Sequence, residues 1–339
     1  MFTDEEREHL VHSVLALTNL QIRELMKSAN IRPIGSTKAD FRTNLDRVLA
    51  SGELSYDSLI DWLDTYDPWR KQHVFVLDGP PSGVGQWTDR QHLDSRLAGN
   101  EDADCATRGR PLVLPEELTI SRIKHSALGM SITAFVKREH REREPSLDYV
   151  TTTNDGYRVR FVAHREYLVR TAVIFEWDFA TNTGVLRVTQ LPSRESYDDM
   201  QDAFRTKVQP WFPEINQFPG IDLANVISSL HAAETTLTAQ PETRSFGMAY
   251  DTPGGRTIDA RAGSLQQGVL GETVSDNALA SIRNAGFGRN GNFHWLSSVS
   301  GLPTDVRTII NAATGRVQFT ANLDQASITH VVSRIRTYA

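Results

Sequence analysis

Three carboxylates in the second half of the chain have the residue types and the spacing that a metal-dependent nuclease needs. Glu166, Glu176 and Asp178 fall on or beside predicted strands, and the period-two spacing of the last two places them on one strand face. Such an enzyme holds Mg²⁺ with two or more carboxylates, usually beside a lysine, and activates water. No lysine follows at the expected offset, and Trp177 and Phe179 flank Asp178 instead. The sequence leaves open a divergent nuclease and a solvent-facing strand pair.

A second segment, VFVLDGPPSGVG at residues 74–85, has a strand that leads into a glycine-rich turn, as in a phosphate-binding P-loop. The lysine that must reach the terminal phosphates is missing, because Gln86 and Trp87 follow Gly85. We therefore predict a proline-stiffened loop and no nucleotide or other cofactor. His9 and His12 lie three residues apart without a third ligand near them in sequence, so we predict no metal site either.

Basic residues are the most informative feature of the second half. Residues 137–143 read KREHRER, and in the segment YRVRF at residues 157–161 Arg158 and Arg160 alternate with apolar residues. The alternation places both arginines on one face of a strand and the apolar side chains on the other face, which we expect to be buried. The same theme continues at Arg165, Arg170 and Arg187. Because glutamates interleave with the first run, two interpretations stay open: a nucleic-acid groove and a solvated mixed-charge face.

Near the N-terminus, residues 18–47 read TNLQIRELMKSANIRPIGSTKADFRTNLDR. Leu20, Leu25 and Met26 mark a first helix, residues 31–34 a short extended stretch, and GSTKADF the start of a second helix. This segment resembles the SAP domain, a helix-extension-helix module that binds DNA. The resemblance implies a small helical domain that contacts double-stranded DNA.

The local chemistry of GSTKADF supports a phosphate site on its own terms. Gly35 permits the turn, and Ser36 or Thr37 can cap the second helix so that its first amide groups point outward. A helix N-terminus with free amides beside Lys38 suits a phosphate. Together with the basic runs described above, the predicted DNA-binding residues are Arg23, Lys27, Ser36, Thr37, Lys38, Arg42, Lys137, Arg138, Arg158 and Arg160.

Composition limits the classes of protein that remain. The chain has 339 residues, 36 Lys and Arg against 42 Asp and Glu, and a formal net charge of −6, which excludes a polycation but allows a local basic surface. A single cysteine, Cys105, excludes an intramolecular disulfide and fits a reducing cytoplasm. The N-terminus is acidic, and no apolar run approaches the roughly 18 residues that cross a bilayer. We therefore expect a cytoplasmic protein without a membrane partner.

The order of predicted elements gives the fold class. Helices fill the first 70 residues, residues 73–77 form a short buried strand, and residues 86–117 form a long, polar loop. Strands with a hairpin, then helices, then further strands follow, which favours α+β with a mainly antiparallel sheet. The predicted domains are a SAP-like helical domain at 1–72, a strand and linker at 73–117, and an α+β domain at 118–339.

The sequence thus predicts a DNA-binding accessory protein without catalytic activity of its own. It would bind double-stranded DNA weakly and with little sequence preference. Because SAP modules commonly tether larger machines to DNA, we expect a subunit of a microbial DNA-processing or DNA-defence assembly, with a protein partner or as a homo-oligomer. The alternatives are a divergent metal-dependent nuclease and an adaptor whose helical domain binds protein.

Overall fold

Four helices fill the N-terminal part of the chain, as the sequence predicts. The structure is a computed structural model that describes residues 2–236, 241–264, 268–270 and 273–339. The N-terminal helices are α1 (Asp4–Leu15), α2 (Asn19–Ser28), α3 (Lys38–Ser51) and α4 (Tyr56–Tyr66). Thr3, Thr18 and Thr37 each cap a helix and complete a capping box with the third helical residue. Their buried face includes Leu10, Val14, Ile22, Leu25, Phe41, Leu45, Leu59 and Leu63.

Ten strands of the described chain form one sheet in which every neighbouring pair is antiparallel. The strands are β1 (Gln72–Asp78), β2 (Thr119–Ser126), β3 (Gly129–Arg143), β4 (Tyr149–Thr152), β5 (Arg158–Phe161), β6 (His164–Asp178), β7 (Thr183–Thr189), β8 (Thr243–Asp251), β9 (Thr257–Arg261), β10 (Phe287–Trp295), β11 (Val306–Asn311) and β12 (Arg316–Phe319). The order in the sheet is β2-β3-β6-β7-β1-β12-β11-β10-β8-β9, and β4 pairs with β5 alone. The predicted α+β class with a mainly antiparallel sheet is confirmed.

Strand β1 lies in the middle of this sheet, between β7 and β12. All of its residues except Asp78 are buried. Val74 and Val76 enter one apolar core, whereas Phe75 and Leu77 enter the other. Because successive side chains of a strand point to opposite faces, the two cores lie on opposite sides of the sheet.

The segment that the sequence predicts as a long, polar loop is instead folded against one of these cores. It contains α5 (Val84–Trp87), α6 (Arg90–Leu97) and a 3₁₀ turn at Ala103–Ala106. Trp87, Leu93, Leu97 and Cys105 are buried there. These few apolar residues are spread among charged ones, so the segment has low average hydrophobicity although each apolar side chain packs. The thiol of Cys105 donates a hydrogen bond to the carbonyl oxygen of Ile120, and burial raises its pKa.

Five later helices cover the two faces of the sheet. They are α7 (Tyr197–Val208), α8 (Leu223–Thr236), α9 (Thr273–Ala285), α10 (Ser297–Ser300) and α11 (Gln325–Thr337). Helix α7 packs in the core of β2, β3, β6 and β7, and α8 and α11 pack in the core of β8, β10, β11 and β12. Within the described ranges, none of the helices has both the length and the apolar character needed to cross a membrane.

The segment at 157–161 corrects one prediction about burial. Strands β4 and β5, which follow β3 and precede β6 in the chain, form a separate two-stranded ribbon. Arg158 pairs with Thr152 and Arg160 with Val150, so both arginines lie on one face of the ribbon, as predicted. The other face is not buried, because Phe161 is 45% exposed and stacks on Tyr149, itself exposed, with ring centroids 4.5 Å apart. A ribbon that stands outside the sheet has no second layer to cover it. Alternation in sequence shows which residues share a face, but not whether anything packs on that face.

Candidate nucleic-acid interface

The turn between α2 and α3 forms the capping structure that the sequence predicts, but an acidic side chain occupies its amides. Gly35 has a φ of +81°, and a Cβ on it would lie 2.1 Å from the Cβ of Asp40. A carboxylate oxygen of Asp40 accepts hydrogen bonds from the amides of Ser36, at 3.0 Å, and Thr37, at 2.9 Å. These bonds lower the pKa of Asp40, so its carboxylate is ionised at neutral pH. A negative charge therefore stands where we predicted a phosphate.

The cations predicted around this turn are largely engaged inside the protein. The ammonium of Lys38 donates to the carbonyl oxygen of Leu17, and partial burial lowers its pKa. Arg42 makes two hydrogen bonds to Glu8, at 2.8 and 2.6 Å, and an ion pair of 3.0 Å with Asp46. Neither side chain is free to follow a phosphate backbone.

Arg23 and Lys27 are the predicted cations of this surface that have no acidic partner among the described residues. The guanidinium of Arg23 lies 5.7 Å from the centre of the Phe41 ring, and Lys27 is exposed on α2. The N-terminal surface thus presents two cations near the ionised Asp40.

The basic run at 137–143 lies on β3 and is paired with acids along its length. Lys137 bonds to Glu116 and Arg138 to Glu195. The next two arginines of the run contact Glu166 and Asp148. This arrangement is the mixed-charge face that the interleaved glutamates suggested. On the ribbon, Arg160 bonds to Asp148 at 3.1 Å, while Arg158 is exposed without a partner in the described chain.

Two arginines that continued the basic theme in sequence are buried and structural. Arg170 is 4% exposed and lies 2.7 Å from Asp67 and 2.8 Å from Asp64, which belong to the helical part of the chain. Arg187 is 2% exposed, bonds to Glu176 at 2.9 Å, and lies 4.1 Å from the centre of the Trp69 ring. Neither can contact a nucleic acid, because both stand between the sheet and the N-terminal helices.

A basic groove that the sequence did not reveal lies along the edge strand β2. Its volume is about 390 Å³, and its charged lining consists of Arg90, Arg108, Arg122 and Lys124, with His125 beside them and no carboxylate. We call it the β2 groove. Arg122 and Lys124 are exposed and have no ion pair within the described ranges, whereas Arg90 and Arg108 each bond to one acid behind the groove, Asp94 at 2.9 Å and Asp104 at 2.7 Å.

The β2 groove was missed because three separate segments build it. Arg90 begins α6, Arg108 follows the 3₁₀ turn, and Arg122 and Lys124 lie on β2. The first two segments fall in the stretch predicted as a loop. The one available signal was the alternation of Arg122, Ile123 and Lys124, in which only Ile123 is buried.

The carboxylates that suggested a nuclease have partners in the protein. Asp178 accepts hydrogen bonds from two backbone amides of the following turn, at 2.8 and 3.1 Å, and Glu176 is bound to Arg187. Lys124 lies on the same face of the sheet as Glu176. It pairs with Ser131 on β3, and Ser131 in turn pairs with Glu176 on β6. In the part of the chain that the structure describes, no three His, Cys, Asp or Glu side chains are grouped so that they could hold a metal ion.

Comparison with known proteins adds no assignment to this geometry. No protein-family model matches the chain, and no curated protein matches it either. The resemblance of residues 18–47 to the SAP domain therefore stays a prediction.

Proposed function

We propose that this protein binds double-stranded DNA through the β2 groove, weakly and with little sequence preference. The observation that carries the proposal is a groove with four cationic side chains and no carboxylate in its lining, at an open edge of the sheet. Phosphate contacts by lysine and arginine supply most of the affinity of non-specific DNA binding. A groove of this composition therefore suits the phosphate backbone better than a neutral or acidic ligand.

The N-terminal surface has a smaller part in this proposal than the sequence suggested. Arg23 and Lys27 can add phosphate contacts, but Lys38 and Arg42 are already bonded and Asp40 repels an anion. We infer that DNA bound at the β2 groove does not need the cap of α3.

An accessory role in a DNA-processing or DNA-defence assembly also requires a protein contact, and we propose the ribbon for it. Half of the exposed large hydrophobic residues of the described chain lie in and around it: Leu147, Tyr149, Val150, Tyr157, Phe161 and Val162. Exposed large apolar side chains gathered in one part of a protein are typical of protein interfaces. The adaptor function and DNA binding thus fall on different surfaces.

Reversing the two free charges of the β2 groove is expected to weaken DNA binding without unfolding the protein. For Arg122→Glu combined with Lys124→Glu, we expect the Kd for a duplex of about 20 base pairs to rise about tenfold or more, because two phosphate contacts become repulsive. Both side chains are exposed, so the free energy of unfolding should change by about 0.5 kcal/mol per site or less. Fluorescence anisotropy at about 50 mM salt measures the Kd.

The matched control changes the same number of charges on the opposite edge of the sheet. Arg256 and Arg261 are exposed at and beside β9, the other edge strand. Arg256→Glu with Arg261→Glu alters the net charge equally, so it should leave the Kd within about twofold if binding is local. Equal weakening by both pairs would show that only the net charge matters and would refute the β2 groove as the interface.

A divergent nuclease is the second candidate, because Lys124 shares a sheet face with Glu176. We expect no cleavage of plasmid DNA by the chain in Mg²⁺ or Mn²⁺, since Glu176 and Asp178 are held by Arg187 and by the backbone. Agarose electrophoresis after prolonged incubation measures cleavage. Cleavage that Glu176→Ala abolishes would replace the accessory role with the enzyme.

A further inference from the structure

A small cavity lies between the N-terminal helices and the sheet, away from the β2 groove. Its volume is about 170 Å³. Helix α1 contributes His12, the chain entering β1 contributes Arg70 and Lys71, β3 contributes His140, and β6 contributes Tyr167. The loop before α11 closes it with Asn322. With Thr189 and Gln190 at the end of β7, the cavity is thus built from six separated parts of the chain.

Two polar side chains at this cavity lack polar partners among the described residues. The rings of His12 and His140 lie on Tyr167, with centroid distances of 5.7 and 5.9 Å. The Nε2 atom of His140 is shielded from solvent and has no hydrogen-bond partner in the described chain. Lys71 is exposed at the rim and has no ion pair among the described residues. Shielded polar atoms are nearly always satisfied, so an unpartnered ring nitrogen in a cavity points to a bound group.

The charges around the cavity favour an anion as that group. No carboxylate lines it. Asp67, just behind it, is bound by Arg70 at 2.8 Å and by Arg170 at 2.7 Å, and Glu195, near His140, is bound by Arg138. The charges of Arg70 and Arg170 are balanced by Asp64 and Asp67. Outside the lining, the exposed carboxylate of Glu142 lies near Tyr167 and, after burial, raises the pKa of its hydroxyl, so Lys71 is the cation that remains for an anion at the opening.

We propose that this cavity binds a phosphate-sized oxyanion, either free phosphate or the terminal phosphate of a larger molecule. Lys71 supplies the charge, and the imidazole of His140 and the hydroxyl of Tyr167 supply hydrogen bonds. A volume of about 170 Å³ holds one such group and excludes a whole nucleotide. Because its residues come from both α1 and the sheet, the bound anion would join the helical part of the chain to the sheet.

Isothermal titration calorimetry with inorganic phosphate, at ionic strength matched with chloride, tests the proposal. We expect saturable binding at one site. Lys71→Ala and His140→Phe should each weaken it about tenfold or more, the range for a lost hydrogen bond to a charged group. Arg256→Ala, at the far edge of the sheet, is the control that should leave phosphate affinity unchanged. Melting temperatures of the variants without phosphate show whether they fold.

A 5′-phosphorylated trinucleotide and its dephosphorylated form distinguish the two sources of the anion. Saturable, Lys71-dependent binding of inorganic phosphate supports a site for the free ion. Lys71-dependent binding of the phosphorylated trinucleotide alone supports a site for a terminal phosphate. The absence of both, or binding that is as strong in folded Lys71→Ala and His140→Phe as in the native protein, would overturn the proposal. The proposal of DNA binding at the β2 groove would be unaffected by that failure, because Arg122→Glu combined with Lys124→Glu tests it separately.

Discussion

Replacing Arg170 with alanine is expected to lower the free energy of unfolding by about 3–5 kcal/mol, the range for removing one partner of a buried ion pair. The guanidinium of Arg170 bonds to Asp67, Asp64 and the carbonyl oxygen of Leu112, and it lies 4.1 Å from the centre of the Phe135 ring. Without it, Asp64 has no ion-pair partner left among the described residues, and Asp67 keeps only Arg70. Urea denaturation, monitored by circular dichroism, measures this loss of stability.

Two further variants show whether the loss comes from this buried network. Arg158 is an exposed arginine of the ribbon, so Arg158→Ala should change stability by about 0.5 kcal/mol or less. Arg170→Lys keeps the charge but not the forked geometry, so its free energy of unfolding should lie between those of the two alanine variants. An Arg170→Ala protein as stable as Arg158→Ala would contradict the buried contact between β6 and the N-terminal helices.

Acidification from pH 7 to pH 4.5 is expected to cost about 2–3 kcal/mol for each of three buried histidines. Burial lowers the pKa of His9 to about 4, of His73 to about 4 and of His231 to about 3. In the unfolded chain a histidine takes up its proton near pH 6.5. Between these pH values the unfolded state binds more protons, so the stability contribution is complete above pH 6.5 and is lost as the pH falls.

Urea denaturation at half-unit pH steps measures this dependence. The carboxylates whose pKa is lowered, such as Asp40 and Asp148, take up protons only below this window, so they add little to the slope. His73→Gln removes one titrating ring and should reduce the loss between pH 7 and 4.5 by about 2–3 kcal/mol. A free energy of unfolding that is constant from pH 7 to 4.5 would contradict the burial of these rings.

Local chemistry in the sequence predicted the helices well. The capping box of Thr3 and Glu6 begins α1, and the four N-terminal helices lie within the first 70 residues, as predicted. Caps and helical periodicity act over three or four residues, so the sequence shows them directly. The packing of Trp87 and Cys105 was not predictable in the same way, because their partners lie on strands far along the chain.

The candidate site was less predictable, because its contacts also join residues that lie far apart in the chain. The pairing of Arg42 with Glu8 spans 34 residues, and the contact between Arg170 and Asp67 spans 103. Sequence reasoning identified these arginines as cations but could not identify the acids that neutralise them. One local warning was present, since Asp40 occupies the capping-box position after Thr37 and so brings a negative charge to the helix start where a phosphate was expected.

The salt dependence of duplex binding tests the central claim most directly. We expect a plot of log K against log salt with a slope of magnitude about 3–5 for the native protein, the value for four or five phosphate contacts. Arg122→Ala with Lys124→Ala should lower that magnitude by about 2, one for each lost contact. No binding at about 50 mM salt and micromolar protein, or the same slope in both proteins, would contradict DNA binding at the β2 groove.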